Sequence, residues 1–255
     1  MERIIRKPFQ GIINIIRFNW QYYLIAFILI TILLFVKQFL PLNLNTVTQI
    51  VILLLFLNIF NSLAASFYIY DYSDLYSLKW LNVLNINANK QLVNISAGFD
   101  ETSLLLTQKY SDCKLAAFDF YDTKKHTEIS IKRARKAYPA FPGTKKIKTN
   151  NIALKANFAN YIFLIFAAHE IRKNKERVIF FQQLKDILCA DGKIIVVEHQ
   201  RDIYNFLAYN LGCFHFFSKK AWRQTFIKAG LIEDREIKIT PFVSMFILKK
   251  NGITP

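Results

Sequence analysis

Two long apolar runs open the chain, and short apolar runs alternating with helical periods fill the rest. Residues 22–40 read YYLIAFILITILLFVKQFL and residues 47–70 read VTQIVILLLFLNIFNSLAASFYIY. Each is long enough to cross a hydrocarbon layer of roughly 30 Å as a helix. The linker at residues 41–46 carries no charge, whereas Arg3, Arg6, Lys7 and Arg17 precede the first run and a lysine-rich segment follows the second. Basic flanks stay on the cytoplasmic side, so the pattern predicts a transmembrane hairpin over residues 21–70 with both ends in the cytoplasm. The first run is too long for a cleavable signal peptide. Residues 1–20 mix basic and apolar side chains and predict an interfacial lead-in, with Trp20, Tyr22 and Tyr23 at headgroup level. In residues 71–89, Tyr72, Leu75 and Tyr76 fall at helical spacing, which predicts a connecting helix.

From residue 90 to 255 the pattern changes to alternating strands and helices. Strands are expected at 92–97, 114–118, 146–148, 160–168 and 193–198, and helices at 101–109, 130–137, 175–188 and 222–229. Asp191-Gly192 reads as a turn and Gly230 as the end of the last helix. Strands at 236–240 and 242–250 close the chain around Pro241. Repeated βα units followed by a strand pair predict a doubly wound sheet with an antiparallel edge.

The first βα unit holds the most telling chemistry. Its strand ends at Ala97-Gly98-Phe99, a helix begins at once, and the next strand ends on Asp119. Ligands in open α/β sheets bind beyond the carboxyl ends of the strands, where an acid after the second strand can hold ribose hydroxyls. No Walker loop, nucleophile elbow or metal-ligand motif occurs in the sequence. Cys113, Cys189 and Cys213 have no paired spacing, which points to a reducing compartment.

The segment from Asn94 to Phe99 with Asp119, the strand ending in Ala167-Ala168-His169-Glu170-Ile171-Arg172, and the stretch from Leu188 through Asp191-Gly192 to Glu198-His199 occur in this order. Together with the terminal strand pair, they resemble a class I S-adenosylmethionine-dependent methyltransferase of type 11 kind. The resemblance covers about residues 89–250. It implies a Rossmann-like seven-stranded α/β sheet and S-adenosyl-L-methionine as cofactor. It further implies cofactor contacts from Asn94, Ser96, Ala97, Gly98, Phe99, Asp119, Phe120, Asn150 and Ala168. The chain departs from the family's pattern in its single loop glycine, in the amide or hydroxyl (Asn94 or Ser96) at the usual acidic position, and in Thr149-Asn150-Asn151 after the third strand.

Methyl transfer needs alignment and, for a hydroxyl acceptor, a base. His169 and His199, each beside a glutamate at a strand end, are the catalytic candidates; His126 lies in a basic loop, and His215 reads as packing among aromatics. Glu170, Glu198, Arg201, Tyr204 and Tyr209 are candidates to bind the acceptor. The net charge is +16, and residues 124–148 hold nine basic side chains and one acid, Glu128. Stacking aromatics are scarce there, so anionic lipid is the expected partner and nucleic acid is not. The expectation is a membrane-anchored methyltransferase with a cytoplasmic catalytic domain and a lipophilic small-molecule acceptor of quinone-like, aryl-polyene, isoprenoid or lipid type. The alternatives are a nicotinamide dehydrogenase, which would want a fuller glycine turn, and a methyltransferase-fold membrane scaffold without catalysis.

Overall fold

The structure, a computed structural model, describes residues 6–125 and 128–252. Arg3 and His126 therefore lie outside the described residues. Helix α1 (Gln10–Val36) and helix α2 (Leu42–Phe67) form the hairpin. Both are long and apolar enough to cross a membrane, and only 6% and 17% of their most apolar windows are buried. That low burial separates them from the core helices of a soluble domain.

The lead-in is helical: α1 starts at Gln10 and breaks at Asn19 (φ −118°, ψ 18°), next to the expected boundary at residue 20. Two other expectations are corrected at this end of the chain. The loop between the helices is shorter than expected: a 3-10 turn (Lys37–Phe39) leads to Pro41, and α2 starts directly after it. Residues 71–89 do not form one connecting helix. A π turn (Tyr68–Tyr72) and a 3-10 helix (Lys79–Leu84) take its place. Leu75, Leu78, Leu81 and Leu84 recur every third residue and are all buried. Of these, Leu81 and Leu84 lie inside the 3-10 helix, in which i and i+3 eclipse, and Leu78 is its N-cap.

The domain is a seven-stranded sheet in the order β3-β2-β1-β4-β5-β7-β6. Strands β1 (Gln91–Ser96), β2 (Lys114–Asp119), β3 (Lys145–Lys146), β4 (Ala159–Ile165) and β5 (Leu188–His199) run parallel. Strand β7 (Val243–Lys250) enters antiparallel between β5 and β6 (Leu231–Thr240). Helices α3 (Ser103–Lys109), α4 (Ile129–Ala137), α5 (Asn174–Ile187), α6 (Ile203–Tyr209) and α7 (Lys219–Lys228) complete it. One core joins Val93, Ile162, Ile194 and Phe246 to Phe181 and Trp222. The other joins Phe163, Ile195, Val197 and Met245 to the leucines of residues 75–84. The strand order reverses between β1 and β4, the switch point where such sheets bind ligands.

Asp191-Gly192 lies inside the span of β5 rather than before it: β5 begins at Leu188 opposite Ala159, and the ladder with β4 resumes only at Lys193 opposite Tyr161, so residues 189–192 fall in an irregularity of the strand. The residues past β5 form helix α6, whose N-cap Asp202 accepts from the Asn205 N–H at 3.0 Å.

Hairpin and domain are tied at Asp71. Its carboxylate accepts the Gly11 and Ile12 N–H groups at 2.7 and 2.8 Å, capping the first turn of α1. A Cβ on Gly11 would stand 2.4 Å from Cβ of Tyr70, so glycine permits this close approach. Tyr70 Oη lies 2.8 Å from Nε2 of His199 at the end of β5. Tyr138 Oη donates to Asn14 Oδ1 at 2.8 Å, and Arg133 donates to the Phe18 carbonyl at 2.7 Å. The first turns of α1 thereby lie across the carboxyl ends of the strands.

Candidate active site

Strand β1 delivers its backbone into a turn at Gly98, whose φ of +99° favours glycine. A Cβ there would meet the Tyr121 ring at 2.8 Å. Asp119 ends β2 and accepts the Tyr121 N–H at 2.8 Å and Arg135 Nη1 at 2.7 Å. The same Arg135 nitrogen reaches the Gly98 carbonyl at 3.1 Å, and its guanidinium lies over the Tyr121 ring. Arg135 thus clamps the glycine loop to the acid. Asp100 Oδ1 accepts the N–H groups of Thr102 and Ser103 at 3.0 and 2.9 Å, while its buried Oδ2 has no partner among the described residues.

Three adjoining cavities lie at this rim. The main one, about 270 Å³, has Ser96, Ala97 and Phe99 on one side and His169 and Glu170 on the other. Asn14, Ile15 and Phe18 of α1 also line it. A small one of about 40 Å³ is lined by Ser96, Gly98, Asp100, Asp119 and Arg135. A third, about 760 Å³, is lined by Phe120, Asn150 and Arg135. Most expected cofactor residues are therefore gathered here. Asn94 is not: its amide donates to Thr102 and Ser103 at 3.0 and 2.8 Å, inside the base of α3. Ala168 is fully buried in the core.

The far wall is a cluster of carboxylates and imidazoles. His169 Nδ1 lies 2.7 Å from Glu198 Oε2, and its Nε2 lies 3.2 Å from Glu170 Oε1. His215 Nδ1 lies 3.2 Å from Glu128 Oε1, and its Nε2 lies 4.0 Å from the same Glu170 oxygen. Burial opposes a charge on His169, but Glu198 and Glu170 outweigh it and raise its pKa to about 10. Burial, then the charged neighbours His169 and Arg172, lower that of His215 to about 4. At neutral pH the first ring is a cation and the second is neutral.

His199 stands apart. It is stacked between Phe166 and Phe216, with ring centroids at 5.2 and 4.8 Å, and its nitrogens face Tyr70, Asn205 and the Phe242 carbonyl. Burial lowers its pKa to about 4. It joins the hairpin to the sheet and does not line the main cavity. Among the acceptor candidates, Glu170 lines that cavity, while Glu198 stands behind His169. Arg201 is spent on the Phe214 and Phe216 carbonyls, Tyr204 is exposed, and Tyr209 packs on His199.

Sequence reasoning missed Arg135, Glu128, the carboxylates facing His215 and the roof from α1. Glu128 had one visible signal, as the single acid in a basic stretch. The roof had none, since Gly11 to Asn19 lie far away in sequence from walls that run from Ser96 to His215.

No protein-family profile and no curated protein matches the sequence. In structure, the chain is similar to an S-adenosylmethionine-dependent methyltransferase from Aquifex aeolicus, at 16% identity and a TM-score of 0.50, covering 70% of this chain and 93% of that one. It is also similar to a methyltransferase from Methanosarcina mazei (13% identity, TM-score 0.47, 66% and 96% covered). A type 11 methyltransferase from Sulfolobus solfataricus gives 15% identity and a TM-score of 0.46, with 70% and 94% covered. The domain thus has the fold of class I S-adenosylmethionine-dependent methyltransferases, carried on an apolar helical hairpin.

Proposed function

We propose that the chain is a membrane-anchored S-adenosylmethionine-dependent methyltransferase acting on a lipophilic small molecule, with its domain on the cytoplasmic face. One observation carries the reading. The cavity at the switch point is roofed by the first turns of α1, and the same helix continues into the exposed apolar stretch. An acceptor dissolved in the membrane would meet the site along the helix that anchors it. The exposed Ile203, Phe206, Leu207, Leu211 and Phe214 beside α2 support a domain that rests on lipid.

The residues present fit the cofactor. Asp100 Oδ2, buried without a partner among the described residues beside Gly98 and Asp119, would take the ligand's ammonium group. Asp119 would accept the ribose hydroxyls in competition with Arg135, and Phe120 and Asn150 border the space for the base. Bound there, the cofactor supplies an electrophilic methyl group. The chain contributes alignment and a dry, roofed cavity. For a hydroxyl acceptor, the Glu128 and Glu170 carboxylates and neutral His215 are the groups that can take the proton.

Calorimetry of the detergent-purified full chain tests this. S-adenosylmethionine binds, and Asp119→Ala weakens it at least tenfold, about 1.4 kcal/mol. Binding of NADH without any response to S-adenosylmethionine would reverse the assignment to a dehydrogenase. Binding of neither would leave a scaffold.

A further inference from the structure

His169, Glu170 and His215 bring one ligand atom each to within 4.8 Å of one another, in the wall of the main cavity. These residues come from the turn after β4 and from the segment between α6 and α7, so the fold alone unites them. Their arrangement has a repeated logic. Each histidine has its Nδ1 against an outer carboxylate, Glu198 at 2.7 Å and Glu128 at 3.2 Å. Each then turns Nε2 toward the same oxygen of Glu170, at 3.2 and 4.0 Å. Metal-binding histidines commonly donate the far ring N–H to a carboxylate, which fixes the tautomer and aims the other nitrogen at the ion. Ligands about 2.1 Å from one ion sit roughly 3–3.5 Å apart, so a small inward shift of His215 completes the set.

We propose that His169 Nε2, His215 Nε2 and Glu170 bind a divalent transition-metal ion, with Glu198 and Glu128 as the positioning carboxylates. Two imidazoles with a carboxylate suit manganese, iron or zinc better than magnesium or calcium. Three protein ligands on one side leave the remaining positions facing the cavity, as in catalytic rather than structural sites. An ion there would lower the pKa of a bound hydroxyl and hold its oxygen as the methyl acceptor. That consequence rests on the transfer reading; the metal site does not.

The test uses the full chain in detergent, stripped with chelator and titrated with Mn²⁺ alone. The expected result is one bound ion per chain, displaced by Zn²⁺, with electron spin echo modulation from two imidazole nitrogens. Glu170→Gln, which preserves shape, and His215→Asn should each weaken Mn²⁺ at least tenfold. Glu198→Gln should weaken it by about 10- to 100-fold through His169 alone. S-adenosylmethionine binding by the same variants reports that they remain folded, and its failure in the native chain would leave the Mn²⁺ result standing. Absence of nitrogen modulation in the native chain, or Glu170→Gln and His215→Asn both binding Mn²⁺ as tightly as the native chain, overturns the proposal.

Discussion

The two halves of the carboxyl rim are built differently. Beyond β1 and β2 the site is sparse: one glycine turn, Asp100, Asp119 and an arginine clamped between the turn and Asp119. Beyond β4 and β5 it is dense, with His169, Glu170, Glu198, Glu128 and His215 in one connected cluster. The sparse half relies on backbone shape and on cavities already present. The dense half places several ionisable groups in a buried wall, which is costly unless they compensate one another. A binding region can be recognised by its topology with few special residues. A region for chemistry has to be recognised by the residues themselves.

The largest expected effect lies in the dense half. Glu198 is almost fully buried against cationic His169. Glu198→Leu leaves that charge without its main partner and should cost about 3 kcal/mol, read from urea unfolding of the purified chain. A loss under about 0.5 kcal/mol, the scale of an ordinary surface change, would mean that the cluster is not held together by this pair.

The pH dependence comes next and separates His199 from that cluster. Its pKa is lowered to about 4, so the unfolded chain binds the proton more readily than the folded one. The contribution of His199 to stability should therefore be intact above about 6.5, the ordinary histidine value, and be lost as pH falls toward 4, by up to about 3 kcal/mol. His199→Gln should make the decline in that window shallower and leave the share of His215, whose pKa is lowered likewise. An equally steep decline in the variant would assign it to other groups.

The smallest effect belongs to the sparse half. Arg135→Ala frees Asp119 for the ribose and should tighten S-adenosylmethionine several-fold in calorimetry. Weaker binding would make Arg135 part of the cofactor site rather than its competitor.

How much of this was legible in the sequence follows the same division. Strand β4 and the inner part of β5 stood out because their buried runs are almost wholly apolar, and Asp119 because it ends one such run. The hairpin was legible from length and charge. The connection after α2 was misread because the leucines of residues 75–84 follow a period of three, while Tyr72, Leu75 and Tyr76 imitate a period of 3.6. Leu188 was misread as the end of a helix because it pairs with Ala159 of β4, and residues 189–192, with their turn signal, fall in the irregularity before the ladder resumes at Lys193. His215 looked like aromatic packing, which is half true, since it meets Phe216 edge-on. Its partners, Glu128 and Glu170, come from distant segments, and no local pattern could announce them.

The most direct test of the account is transfer itself. Cells with and without the chain are fed methyl-labelled methionine, and their lipid extracts are compared. The account predicts a labelled lipophilic compound that depends on the chain and disappears with Asp119→Ala. A chain-dependent label found in a protein or RNA fraction, with every lipid unchanged, would contradict it.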